Sequence, residues 1–324
     1  MEAVRTQPRR RGGMKALALL AFAAGTALLA WLVVGAGWVP VKDALAAIGL
    51  GGLLLVALAH LPVIAVLGAA WRLGARIAPR PNAAHFAWAR ALRDAGSEVL
   101  PFSQLGGVAL GARALALLGV GRRNALAWTF LDLLIEFAAK IPYVLAGLAL
   151  LAFLHRRDVL AVIALAAAIV TAAALLILRP AFRVAWRQPK LLRRGLLALR
   201  RVAPRPGDSR AAFLLHLLGW FLGAGETWLI FRLMQKAVGF APALVIDSVV
   251  GAIRALGFFV PGAVGVQEGA YVALCGLFAI SPATALAFSL IRRARDLLIA
   301  AAVLLPWPWR ELQRLARRNA AFKS

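Results

Sequence analysis

The stretch TFLDLLIEFAAKIPY (residues 129–143) sets Asp132, Glu136 and Lys140 four residues apart in an otherwise apolar run. On a helix that spacing makes one slowly drifting stripe. A charge at the centre of a bilayer costs about 2.5–3.5 kcal/mol on insertion scales, so such a stripe must face protein or water. A second apolar run, FSLIRRARDLLI (288–299), holds Arg292, Arg293, Arg295 and Asp296. Arg292 and Asp296 are i, i+4 partners, which leaves Arg293 and Arg295 without an evident local one. Acids in one span and arginines in its counterpart suit an anionic head group passing between them, because guanidinium binds phosphate bidentately. The competing reading is a self-paired Glu136–Lys140 bridge that only packs the bundle.

Two further stretches break their apolar surroundings: VLPFSQLGG (99–107) and FVPGAVGVQEG (259–269). Proline removes a donor and clashes with the preceding turn, while glycine lets the backbone bend or pack closely. Pro101, Gly106 and Gly107 in the first, and Pro261, Gly262, Gly265 and Gly269 in the second, are therefore candidate helix-break and gating positions. Glu98 and Arg113 flank the first break and Arg254 and Glu268 the second, with Gln104 and Gln267 supplying amides. Glu226 and Asp247 are further buried-acid candidates. Taken singly, each of these polar residues suits a structural contact as well as it suits substrate binding.

Composition identifies the elements that must position these residues. Of 324 residues 62% are hydrophobic and 16% charged, against about 45–50% and about 25% in soluble domains. The expected fold is an all-α polytopic membrane protein. Full crossings are read at 15–37, 47–71, 125–153, 158–178, 212–234 and 283–305, between a basic leader (1–14) and a basic tail (306–324). Segments 1–15, 72–93, 179–210 and 306–324 carry 5, 5, 10 and 5 Lys or Arg residues. The connections near Lys42, Arg156, Arg157, Arg232 and Lys236 carry only those five. Both termini are expected on the cytoplasmic side by the positive-inside bias. The basic stretch KLLRRGLLALRR (190–201) reads as a topology anchor or as an interfacial helix on anionic lipid.

Six crossings already return the chain to its starting side, so 82–120 and 240–281 must each enter and leave on one face. Each then forms a re-entrant hairpin broken at Pro101 or Pro261, its polar backbone shielded by protein or a water-filled cavity. The transmembrane domain, 15–305, divides into two repeats at about 15–153 and 158–305, each of three crossings plus one hairpin. An odd number of crossings per half makes the second inverted, an arrangement that places a transport site between the repeats. If the hairpin arms span fully, the count rises from six to between eight and ten.

Several chemistries have no residues to support them. No nucleophile elbow, phosphate-cradling loop, zincin or dinucleotide fingerprint occurs. The histidines at 60, 85, 155 and 216 lack ligand spacing, and Cys275 is the single cysteine, so neither a metal nor a cofactor is expected. The net charge of +25 flanks apolar spans, which points to anionic lipid at a membrane surface rather than to nucleic acid.

The runs RDAGSEVLPFSQLGGVALGAR and FFVPGAVGVQEGAYVALCGLFAISPATALAFSLIRRARDLL resemble the membrane region of lysylphosphatidylglycerol synthetases and their stand-alone relatives, in wording nearest the subgroup associated with bacterial hopanoid biosynthesis. The resemblance implies a bacterial inner-membrane protein that moves lipid between leaflets. The cytosolic aminoacyltransferase domain of the two-part members is not among these residues, so enzymatic activity is not implied. Carried by motif match, the positions that matter are Glu98, Pro101, Gln104, Gly106, Gly107 and Arg113. In the second motif they are Pro261, Gly262, Gly265, Gln267, Glu268, Gly269, Arg292, Arg293, Arg295 and Asp296. Three functions compete: a translocase of phospholipid, hopanoid or related polar lipid; an ion-coupled carrier of a small anion; and a non-transporting partner of lipid-modifying enzymes.

The orientation is testable by labelling. With Cys275 replaced, cysteines placed near Lys42, Arg156 and Lys236 should react with an impermeant reagent in intact cells, and those near Arg76 and Arg194 should not. Labelling at Arg194 from outside would overturn the scheme, because that segment sets where the second half begins.

Overall fold

A computed structural model describes residue 23 and residues 26–75, 81–100, 103–154, 193, 197, 203–256 and 263–307. Among these the chain is all α-helix. The elements are α1 (Thr26–Ala36), α2 (Trp38–Ala46), α3 (Gly49–Gly74), α4 (Ala83–Val99), α5 (Ser103–Leu117), α6 (Arg122–Leu154), α7 (Pro206–Leu233), α8 (Phe240–Leu256), α9 (Val266–Leu277) and α10 (Pro282–Leu304). The starts follow local chemistry. Asn82 accepts a hydrogen bond from the His85 amide (2.9 Å) and Ser281 from that of Thr284 (3.3 Å), while Pro206 and Pro282 need no donor in the first turn.

The chain is a polytopic membrane protein, and α6 illustrates why. Its buried positions include Trp128, Asp132, Glu136, Ala139, Tyr143 and Gly147. Leu126, Phe130, Leu134, Phe137, Ile141 and Leu145 lie on the opposite, exposed face. A soluble helix turns its charges outward; beyond its first turn, where Arg122 and Arg123 are exposed, this one turns its charges inward and presents hydrocarbon outward. Helices α3, α6 and α7 are each long and apolar enough to cross a bilayer. The expected crossings at 47–71, 125–153 and 212–234 fall on these three. The expected 283–305 crossing is the 23-residue α10, which carries four charged residues in its interior.

The first expected crossing, 15–37, ends at a bend of 92° between α1 and α2. Gly37 sits at the bend with φ 84°, a left-handed conformation that glycine adopts without steric cost. Trp38–Ala46, read as a connection, is helical instead. The 158–178 crossing, the leader and the tail beyond Trp307 lie outside the described residues, as does most of the 190–201 segment.

Helix α4 ends at Val99, with Leu100 extended, and α5 is described from Ser103; α8 is described to Leu256, and α9 begins at Val266 after its N-cap Gly265. Pro101, Pro261 and Gly262 themselves lie outside the described residues. The described parts of the four arms have 17, 15, 17 and 12 residues, or about 18–26 Å of helix, against a hydrocarbon core of ~30 Å. Within each hairpin the arms pack on one another. Exchanging α3–α6 with α7–α10 reproduces the pattern of helix contacts. α3 packs on α4 as α7 does on α8, α5 on α6 as α9 on α10, α4 on α10 as α8 on α6, and α6 on α7 as α10 on α3. The contacts α3–α6 and α2–α10 have no such mate among the substantial contacts of the described residues.

Glycine sets how closely the arms approach. A Cβ on Gly107 would lie 2.1 Å from Ser97 Oγ and 2.6 Å from the Arg93 carbonyl oxygen, and one on Gly106 2.6 Å from Leu100 Cβ. These two glycines are therefore contact points between α4 and α5, whatever the break at Pro101 does. Gly269 differs, since a Cβ there meets nothing within 4 Å. Gly107→Ala should destabilise the purified protein by about 1–3 kcal/mol through overpacking, because the Arg93 carbonyl cannot swing aside. Gly269→Ala should leave the melting temperature unchanged or raise it, given alanine's helix preference. Thermal melts of both variants in detergent check the contrast; equal losses would remove the close-packing role.

Candidate functional site

The charged residues converge between the two halves. A cavity of about 220 Å³ is lined by residues from α3, α4 and α6–α10 together with Ala263. Six cationic side chains face it (Arg90, Arg93, Lys140, Arg254, Arg292, Arg295) and six carboxylates (Asp94, Glu98, Glu136, Glu226, Asp247, Asp296). Its charged wall is thus formally balanced.

On the first-half side, WARALRD places Arg90, Arg93 and Asp94 on one face of α4. Arg90 donates Nη1 and Nη2 to the two oxygens of Glu136 (2.9 and 2.8 Å) and Nε to Asp94 (2.8 Å). Arg93 spans two turns of α6, donating to Asp132 Oδ2 (2.5 Å) and to Glu136, while its guanidinium lies over the Trp71 ring. His216 Nε2 on α7 stands 3.0 Å from the other Asp132 oxygen. Asp132 thus lies behind Arg93, one layer from the cavity.

The second-half side reverses the polarity. Here the acid, Asp247, is on the hairpin arm α8 and the arginine on α10. Asp247 accepts from Arg292, from Thr227 Oγ1 (3.0 Å) and from the Tyr143 hydroxyl (2.8 Å). Arg295 donates to Glu226 and to Asp296 Oδ1 (3.1 and 2.6 Å), and the second Glu226 oxygen lies 2.7 Å from His60 Nδ1. Arg254 on α8 pairs with Glu98 on α4, joining the two hairpins.

A separate network sits behind α9. Glu268, fully buried, accepts from the Gly265 amide (2.7 Å), the Ser289 hydroxyl (3.2 Å) and Arg293 Nη2 (2.7 Å). Gln267 donates to Ser289 Oγ (3.2 Å). The carboxylate closes the first turn of α9, whose N-cap Gly265 has φ 81°.

Of the expected site residues, Glu98, Glu136, Lys140, Arg254, Arg292, Arg295 and Asp296 line the cavity together. Arg113, Gln267, Glu268 and Arg293 are not among its lining residues, and Gln104 is described only by its place in the first turn of α5. Three pairings differ from the sequence reading. Lys140 does not bridge to Glu136 but donates to the Gly251 carbonyl (2.8 Å). Asp296 pairs with Arg295 rather than Arg292, and Arg293 finds Glu268. Arg90 and Arg93, counted toward a basic connection, are buried against α6 instead. They and Asp94 are the main residues that the sequence reading missed as site residues. Their signal was the i, i+3, i+4 spacing beside the Pro101 break. His60, Tyr143 and Trp220 carried no comparable signal, since each depends on a partner far along the chain.

Fold and site together define an integral membrane protein, helical throughout the described residues, with a charged cavity lined by its helices. The chain belongs to the family described as the lysylphosphatidylglycerol synthase TM region, whose model matches residues 17–303. No curated protein and no solved structure matches it.

Double-mutant cycles check the pairings. Arg293→Gln strands a fully buried carboxylate and should cost about 3–5 kcal/mol, with Glu268→Gln recovering at least 1 kcal/mol of that in the double variant. Glu136→Gln with Arg293→Gln should be additive within about 0.5 kcal/mol, since the two make no shared contact. Melts of the singles and doubles decide it; strong coupling in the second cycle would contradict the network described here.

Proposed function

We propose that the chain is a lipid translocase that moves a polar or anionic lipid (a phospholipid, hopanoid or related lipid) between membrane leaflets. The observation that carries this reading is the charge-lined cavity inside an apolar-faced bundle. Its volume of about 220 Å³ is below the ~300–1,000 Å³ of pockets that enclose a whole drug-sized ligand. A head group fits that space while its acyl chains stay in the bilayer. Membership of the lysylphosphatidylglycerol synthase membrane-region family supports a lipid-related role. On this reading the halves 15–153 and 158–305 are inverted repeats, the broken hairpins are re-entrant and gate the cavity, and both termini face the cytoplasm of a bacterial inner membrane. The protein then acts without chemical conversion of its substrate, and lipid-biosynthesis enzymes are its expected partners.

Reconstitution tests the proposal. Purified protein in vesicles should speed leaflet exchange of labelled phosphatidylglycerol over protein-free vesicles. Arg292→Gln should slow that exchange at least about tenfold, because the change leaves Asp247 at the cavity without its cation and costs more than 1.4 kcal/mol. No exchange of any polar lipid, together with uptake of a small anion such as phosphate, would replace the translocase with an anion carrier.

A further inference from the structure

Resting on the cavity being a head-group site, we propose that Lys140 and Trp220 form its phosphate-binding subsite. The two expected phosphate ligands on α10 are already committed. Arg292 is held by Asp247, and Arg295 by Glu226 and Asp296. Across the cavity Arg90 and Arg93 share Glu136, and Arg254 holds Glu98. Lys140 differs from all five. Among the described residues no carboxylate lies within ion-pair distance of its ammonium, which rests 4.4 Å from the centre of the Trp220 ring and donates one hydrogen bond, to Gly251.

An ammonium carries three donors, so two remain for a ligand. Trp220 adds another, because its indole N–H is buried and has no partner. Both residues line the cavity. Trp220 is itself fixed, stacked on Tyr143 with ring centres 6.1 Å apart, while the Tyr143 hydroxyl is tied to Asp247. The subsite therefore offers an ammonium that no carboxylate contacts among the described residues, beside a fixed indole whose N–H has no protein partner. That combination suits an acceptor-rich anion, a phosphate, which can take both remaining donors of Lys140 at once. The paired arginines need not open to receive it, which would cost the energy of stranding their acids.

The test uses the full chain in nanodiscs, with labelled phosphatidate, a galactosyl diacylglycerol of the same chains, and inorganic phosphate as probes. Lys140→Met should weaken phosphatidate binding about tenfold or more, the worth of a charge-assisted hydrogen bond, and leave galactolipid binding unchanged. Its melting temperature should hold or rise, because a poorly compensated charge leaves the interior. Trp220→Phe, which keeps the ring, should weaken phosphatidate binding a few-fold, and Lys140→Arg should retain part of it. Lys140→Met binding phosphatidate like the parent, losing galactolipid equally or melting lower overturns the subsite. Inorganic phosphate that binds through Lys140 while phosphatidate does not would keep the anion chemistry and overturn the lipid source. Leaflet exchange on the same proteins separates the two readings. Lys140-dependent binding without exchange retains the subsite and removes the translocase, and exchange indifferent to Lys140 removes the subsite alone.

Discussion

A charge enclosed by hydrocarbon must meet an opposite charge or remain very costly, and the bundle is organised around that constraint. The central arginines answer it by reaching across helices. Arg93 ties α4 to α6 through Asp132 and Glu136, and His216 extends the tie to α7. Arg295 joins α10 to α7, where Glu226 is shared with His60 of α3. Arg292 joins α10 to α8, and Arg254 joins the hairpins. The charges therefore act as the fastening between elements, while the outward faces carry Leu, Phe and Ile.

Fastening at the centre leaves the backbones free to approach wherever side chains are small. In lipid no hydrophobic force drives helices together, so close packing of small residues carries much of the association. Gly68 lies against the backbone of Phe86 and Ala87, Gly219 against Leu67, and Gly147 against Ser248. These contacts bring α3 to α4, α3 to α7 and α6 to α8, the walls of the cavity. Bulky packing gathers in three patches among the described residues, around Trp71, Phe86 and Trp128, around Phe231, Tyr271 and Phe288, and around Tyr143 and Trp220.

The cavity's chemistry follows from what the pairing leaves over. A site with equal numbers of cations and carboxylates has no overall preference for sign, yet its charges are not equally engaged. Arginines locked in two-sided contacts shape the wall, and an ammonium on an indole face keeps its donors for something else. On the proposed reading, selectivity comes from the ammonium that touches no carboxylate, because matched pairs must first be separated before they can bind.

Membrane class, helix periodicity and the two breaks were legible in the sequence because each is a local consequence of residue type. Twenty-residue apolar runs, a four-residue spacing of Asp132, Glu136 and Lys140, and proline followed by glycine all act within a few turns of chain. The family resemblance rested on those same local runs. The pairing of charges was not legible. Glu136 sits one turn from Lys140 yet meets arginines more than forty residues away, since helix rotation and tilt in the packed bundle decide which faces meet. The expected end of the first crossing, residue 37, coincides with the bend at Gly37, although hydropathy does not register its direction. What the sequence determined by itself was that charges must be buried and that helices must be interrupted near the two Pro/Gly stretches. Which acid each arginine meets, and that Lys140 meets none among the described residues, was decided by tertiary packing, because only the packed helices set distances between residues remote in the chain.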